Sequence, residues 1–336
     1  MTSHHTEAAP PVTAPGTVAR GQRRVVPGMI AAVIVGVQVL FVFCLGYPAL
    51  HASPHQVPIG VAGPVAELGR LHAALTSRPG AFDVHDYPDA AAARAAVRGR
   101  AVYGALVAGP GGLRMLVASA ADPRIAAMLA REAGTLGQAR KAAVPVTDVV
   151  PAPGKDPEEI GSLATLLPLI LISLVLGAVL AIAERRAWRL LGWCACAALA
   201  AGLAVSGVAS ALGTFSGRYW ADAGVLALLV FGLSACAAGL VAARLRPLAG
   251  LFALTMLLLG IPASGALTPP ELLVQPWRAV GPGLPPAAAL DALRGITFFD
   301  GAAIGWPLTV LACWAALGAL LAVVLPAAGG RRCAGH

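Results

Sequence analysis

Few residues in this chain have the types and spacing that covalent chemistry demands. The lysines are Lys141 and Lys155, and Gly154-Lys155-Asp156 lacks the hydroxyl residue and the upstream glycine of a phosphate-cradling loop. No His-Glu-x-x-His stretch offers two imidazoles on one helical face. Cys194 and Cys196 stand two positions apart, about 200° around a helix, so they cannot share a metal ion. Gly232-Leu233-Ser234-Ala235-Cys236 misses the last glycine of a nucleophile elbow and lies in an apolar run. The chain is therefore expected to be no enzyme and to need no cofactor, and any ATP hydrolysis has to come from a partner.

The remaining candidates are mechanical. Gly260-Ile261-Pro262-Ala263-Ser264-Gly265 interrupts an apolar run. Pro262 has no amide to donate, and its ring clashes one turn back. The break, marked by Gly260, Pro262 and Gly265, reads as a gate. The next stretch, residues 267–306, is too apolar and Pro-rich for a simple exposed loop. Irregular backbone at membrane depth persists only when buried in protein or lining a cavity. Residues 267–306 thus read as re-entrant half-helices, or as an interfacial cap anchored by Trp277 and Trp306. Gly202, Ser206, Ser210 and Thr214 recur every four residues, a small-residue stripe that lets a second helix approach closely. The stripe serves packing inside one bundle or a subunit interface. Glu184, Arg185 and Arg186 at the end of another run are suited to contact a cytoplasmic partner or to anchor topology. Gln38 places a lone amide in the first run, for substrate or for a neighbouring helix. Glu184 and Asp222 lie at run ends, so mid-membrane carboxylates of the kind that proton- and sodium-driven carriers use are missing.

The elements that carry these residues are apolar runs: Val25–Leu45, then Leu163–Ala183, Leu190–Leu212, Val225–Ala243, Leu248–Ala266 and Leu308–Leu325. Each has roughly 20 residues, enough to cross a hydrocarbon core of ~30 Å as a helix. With 58% hydrophobic and 12% charged residues, the expected fold is an all-α polytopic membrane bundle of six transmembrane helices in a 1+5 layout, with an inserted extracytoplasmic α/β domain. The divisions are a disordered cytoplasmic tail (1–24), a first transmembrane helix (25–47), the α/β domain (48–161), a five-helix transmembrane domain (162–326) and a short cytoplasmic tail (327–336).

The net charge of +8 reports orientation. The insert holds eleven Lys/Arg against ten Asp/Glu. Arg20, Arg23, Arg24, Arg185, Arg186, Arg189, Arg244, Arg246, Arg331 and Arg332 flank the runs on one side; Arg218, Arg278 and Arg294 lie on the other. Ten against three is a positive-inside pattern, which puts both termini in the cytoplasm of a multi-pass cell (inner) membrane protein and argues against nucleic acid as a partner. The first run exceeds a signal-peptide core and no clear cleavage site follows, so it reads as an uncleaved anchor. All six cysteines lie in or beside the runs, so the exported domain is expected to hold together without a disulfide.

Within the insert, Val57–Ala62 reads as a strand and Gly63–Ser77 as a helix with Val65, Leu68, Leu71 and Leu75 on one face. Ala81–Tyr87 is a strand. Asp89 opens an Ala-rich helix that ends near Gly99. Val102–Val107 and Leu113–Ser119 form a hairpin about Gly109-Pro110-Gly111-Gly112. Asp122-Pro123 opens a helix to about Lys141. Val144–Glu159, with four prolines, reads as an extended link back to the membrane.

Three stretches give the chain a resemblance. Val57-Pro58-Ile59-Gly60-Val61-Ala62 is similar to the strand opening the external domain of type-2 ABC exporter membrane subunits, and Ala91–Val107 to the helix-then-strand that follows it. The third runs Gly260-Ile261-Pro262-Ala263-Ser264-Gly265, Thr268-Pro269-Pro270, Leu284-Pro285-Pro286, Ala292-Leu293-Arg294 and Phe298-Phe299-Asp300-Gly301. The resemblance implies a permease-like bundle that works with a second such subunit, as a homo- or heterodimer in the lipid bilayer, powered by a separate ATPase subunit. Family members carry a longer cytoplasmic segment with a Gly-Thr after the second span. Here Glu184-Arg185-Arg186-Ala187-Trp188-Arg189 keeps the Glu without the Gly-Thr, which favours the phage-infection-protein-like branch of the same plan.

Overall fold

The computed structural model describes residues 22–76, 79–152, 160–214 and 218–333. The expected tail 1–24 and the prolines at 153 and 157 of the expected link fall wholly or mostly outside these residues. The described chain forms two compact units, divided between Phe43 and Cys44. The first is carried by the N-terminal part of a long apolar helix, α1 (Gln22–Leu50). The second holds the sheet and the remaining helices.

Residues 57–148 build a five-stranded sheet. Strands β1 (Val57–Ala62), β2 (Phe82–Tyr87), β3 (Gly104–Gly109), β4 (Gly112–Val117) and β5 (Val146–Asp148) lie in the order β2-β1-β3-β4-β5. β1 pairs in parallel with β2 and β3, β3 and β4 form an antiparallel hairpin, and β5 adds in parallel to β4. Because Gly109 pairs with Gly112, the hairpin loop is Pro110-Gly111, and Gly112 takes φ +93°, which a glycine tolerates. Helices α2 (Val65–Thr76) and α4 (Pro123–Arg140) cover one face, where Val57, Ile59, Val61, Leu71, Leu106, Met115, Ile125 and Leu129 form a core. Helix α3 (Ala90–Arg98) covers the other, packing its Ala93 and Val97 over Ala62, Ala105 and Leu116. Covering both faces explains why β1 is buried almost throughout and does not alternate.

Local signals set the helix ends. The Asp89 carboxylate accepts the Ala92 amide at 2.7 Å, and Gly99 ends α3. The Asp122 carboxylate accepts the amides of Arg124 and Ile125 at 2.9 and 3.1 Å, Pro123 occupies the first turn of α4, and Lys141 closes it in the left-handed region. β5 falls in the stretch expected to be a plain link. Its three residues are recruited by the open edge of β4, a long-range pairing that the local sequence does not announce.

The remaining helices are α5 (Ile160–Ala183), α6 (Ala187–Leu212), α7 (Tyr219–Ala242), α8 (Arg246–Leu258), α9 (Trp277–Val280), α10 (Pro285–Phe298) and α11 (Gly305–Cys333). Among the described residues, α1, α5, α6, α7 and α11 are long and apolar enough to cross a membrane. Ile172, Val175, Val179, Ile182, Leu199, Val208, Leu212, Leu320 and Val324 are exposed on them. A water-soluble protein rarely exposes so many large apolar groups together, so the bundle is membrane-embedded.

α7 is the central helix and approaches its neighbours at glycines. A Cβ on Gly177 of α5 would lie 2.1 Å from the Ser234 carbonyl oxygen, and one on Gly202 of α6 would lie 2.4 Å from that of Ala223. Gly232 and Gly239 of α7 meet residues 314–315 and 321–322 of α11. The two numbers rise together, so α7 and α11 run parallel. The chain between them must therefore return along the bundle. The run Leu248–Ala266, expected to be broken at Gly260–Gly265, is not helical throughout. α8 stops at Leu258 after 13 residues, about 20 Å, and the backbone then turns through a 3-10 segment at Pro262–Ser264.

Candidate functional site

The break at the end of α8 leads into a folded segment that dips back into the bundle. Gly260 has no room for a side chain: a Cβ there would sit 2.2 Å from the Met256 carbonyl oxygen and 2.9 Å from Pro286 Cγ. Pro262, Ala263 and Ser264 are buried, and Gly265 turns the chain at φ +80°. Residues 266–278 then run beneath the sheet domain, where the Ser53 amide donates to the Leu272 carbonyl at 3.1 Å and the His55 amide to that of Glu271 at 2.9 Å. The chain next descends. Trp314 Nε1 donates to the Gly283 carbonyl at 2.9 Å, and Trp314 lies nine residues along α11 from Gly305, about 14 Å. From there α10 climbs back to the level where α11 starts. Eleven of its fourteen residues are buried, with Pro285 and Pro286 in its first turn. Residues 267–306 thus pack partly against the sheet domain and partly along α11.

α10 carries the charged residues that tie this segment to the sheet domain. Arg294 Nη2 donates to the Gly265 carbonyl at 3.1 Å and stands 3.8 Å from Asp122, the cap of α4. Arg294 is 5% exposed and Asp122 1%, so this ion pair lies in the interior. Arg124 Nη1 reaches the Ala266 carbonyl at 3.3 Å. One turn before Arg294, Asp291 is held by Arg100, which forms a charge-assisted hydrogen bond to its carboxylate and a second, at 3.1 Å, to its carbonyl. Arg100 follows the Gly99 cap of α3 in the left-handed region, with its guanidinium 5.3 Å from the centre of the Phe299 ring. Gly295 admits this approach, since a Cβ there would meet Ile304 Cγ2 at 2.6 Å.

These groups line a cavity of about 270 Å³ between the sheet domain and the segment 264–307. Arg100, Tyr103, Glu271, Asp291 and Arg294 bring polar atoms to it; Trp306, Pro307, Ala287 and Ala288 are among its apolar walls. Burial pushes the Glu271 carboxyl above the usual carboxylate range, and the negative charges of Asp122 and Asp291 add to the rise; its own backbone and the neighbouring Tyr103 hydroxyl oppose it. Burial also pushes the Tyr103 phenol well up, with the Glu271 charge adding to it. Such a site can hold and orient a ligand that is partly apolar and partly polar.

The residues singled out from sequence fall in several places. Ser264 lines the cavity and Gly265 meets Arg294, so the Gly260–Gly265 break forms part of its wall. Gly202 and Ser206 pack on α7, where the Ser206 hydroxyl donates to the Tyr219 carbonyl at 3.1 Å. Thr214 is buried, whereas Ser210 is exposed and Ala209 takes the inward position. A helix turns once per 3.6 residues, so a four-residue stripe drifts off the contact line by its third member. Glu184, Arg185 and Arg186 form the three-residue connector from α5 to α6, in which the Glu184 carboxylate accepts the Arg186 amide at 2.9 Å. Asp222 is buried in the first turn of α7. Cys194 is buried and Cys196 exposed, on different sides of α6.

Sequence reasoning did not pick out Glu271, Asp291 or Arg100, and counted Arg294 as a loop charge. One signal was present: ionisable residues inside an apolar, Pro-rich segment require partners. Compared with protein-family models, curated proteins and solved structures, the chain finds no match in any of the three.

Proposed function

We propose that this chain is a permease-like membrane subunit of an export system for a hydrophobic or amphipathic compound, working as a dimer with a separate ATPase subunit. In this reading the chain crosses the cell (inner) membrane six times. α8 and the break that follows it make the fifth of these crossings, the sheet domain lies outside, and both termini are cytoplasmic. The observation that carries the reading is the buried Asp122–Arg294–Gly265 connection. It couples an external domain to an interrupted, re-entrant helix, so a displacement of one is felt by the other at the mouth of a cavity. The ten-to-three arginine asymmetry supports the orientation.

A second reading is favoured by the three-residue connector Glu184–Arg186, which offers a motor protein little surface. In that reading the chain is a non-transporting envelope protein whose external domain binds a wall or protein partner. Affinity purification in mild detergent from the native cell separates the two. Co-purification of an ATPase in stoichiometric amount, with ATP-dependent efflux of a lipophilic dye from cells that express both, is the result expected. Purification without any ATPase, and efflux unchanged by deleting the gene, would overturn the export reading in favour of the second.

A further inference from the structure

The cavity beneath the sheet domain contains one charge that the fold leaves unsettled. Arg100 is committed to Asp291, and Arg294 to Gly265 and Asp122. Among the described residues, Glu271 makes no ion pair and its buried Oε2 makes no hydrogen bond. A buried carboxylate oxygen without a donor costs free energy that a native fold usually avoids. The charges it senses most strongly are those of Asp122 and Asp291, both negative. A cation is the group that would relieve both conditions at once. The apolar lining includes Ala287, Ala288, Pro307 and the exposed Trp306.

We propose that this cavity binds the protonated amine of an amphipathic molecule, with the ammonium against Glu271 and the apolar part against Trp306 and Pro307. An ammonium has three donors. It can satisfy the carboxylate and still reach the Asp291 side of the cavity. An anion is disfavoured, because neither guanidinium is free to receive it. The proposal rests on the export reading only in treating the amine as cargo; the site itself stands on the cavity and its charges.

A bound ammonium stabilises the ionised carboxylate, so binding expels a proton from any Glu271 that was protonated. Since burial holds the Glu271 carboxyl above its ordinary range, affinity for an amine rises with pH through that elevated titration. It levels off once Glu271 is ionised in the free protein.

The test is calorimetric titration of the full chain in mild detergent with 2-phenylethylamine, alongside its neutral analogue 2-phenylethanol and the anion 3-phenylpropionate. The amine is expected to bind, with an affinity that rises with pH and falls about tenfold or more in Glu271→Gln. The alcohol and the anion are expected to bind far more weakly. Glu271→Asp keeps the charge on a shorter arm and should recover part of the affinity, which a folding defect would not allow. Equal amine binding by wild type and Glu271→Gln, or preference for the anion, would overturn the proposal. So would loss of binding in both variants with unchanged thermal unfolding. Amine binding with no efflux would leave the site standing and remove the export reading; efflux without amine binding would do the reverse.

Discussion

Replacing Arg294 with Met tests whether the sheet domain and α10 are energetically one structure. Met keeps most of the volume and removes the charge. The substitution takes away the 3.1 Å hydrogen bond to the Gly265 carbonyl and the charge 3.8 Å from Asp122. Breaking a buried ion pair by deleting one partner costs about 3–5 kcal/mol when the other charge is stranded. Asp122 is not fully stranded, because two backbone amides still cap it at 2.9 and 3.1 Å, and the 3.8 Å separation exceeds hydrogen-bond range. The expected loss is therefore nearer 2–3 kcal/mol, on the order of one charged hydrogen bond plus an attenuated pair. Asp122→Asn retains a capping oxygen and should cost about 1 kcal/mol. The double variant should lose less than the sum, with a coupling of about 1–2 kcal/mol. The assay is unfolding in mixed detergent micelles followed by tryptophan fluorescence, since Trp277 and Trp306 flank the region. Additivity within about 0.5 kcal/mol would refute the coupling, whatever the single costs.

Three further outcomes are expected. Gly177→Ala forces a methyl to within 2.1 Å of the Ser234 carbonyl oxygen, so the α5–α7 contact must open, at a cost of about 1–3 kcal/mol by overpacking; an unchanged unfolding midpoint would contradict that contact. Ser210 is exposed on α6, so Ser210→Leu should leave stability within about 0.5 kcal/mol while lowering the dimer fraction in sedimentation; wild type that is strictly monomeric in several mild detergents would end the pairing reading. Pro262→Ala should preserve expression yet reduce efflux per molecule if the break acts as a gate; lost expression with normal efflux per molecule would assign Pro262 a structural role alone.

The sheet domain was legible because its signals are local. Asp89 and Gly99, Asp122 and Pro123, and the Gly109–Gly112 turn each fix an element boundary through backbone chemistry within a few residues. The long apolar helices were legible for the same reason. β5 was not, because Val146–Asp148 becomes a strand only beside β4, some thirty residues earlier in the chain. The break in the fifth apolar run was legible from Gly260 and Pro262; the packing around it was not. Hydropathy continues through Ala266, but a helix needs room for its own turns, and the carbonyl of Met256 and the ring of Pro286 shape the chain at Gly260. Pro286 lies 26 residues away in sequence, out of reach of any window that scores apolar runs.

The candidate site was hidden by the same distance. Arg100 closes a helix of the sheet domain, Asp122 caps another, and Asp291 and Arg294 sit one turn apart on α10. Read alone, each has an ordinary explanation as a cap, a loop charge or a surface residue. What unites them is that α10 is buried almost throughout, which no hydropathy score could distinguish from an interfacial loop. A buried helix carrying Asp291 and Arg294 finds its counter-charges outside itself, in Arg100 and Asp122 of the sheet domain. The covalent order of the protein thus separates into domain and bundle, while its electrostatics join them. Glu271 is the exception within that network: it senses two carboxylates and, among the described residues, pairs with no cation. For that reason the cavity it lines is where the proposed ammonium would find its counter-charge.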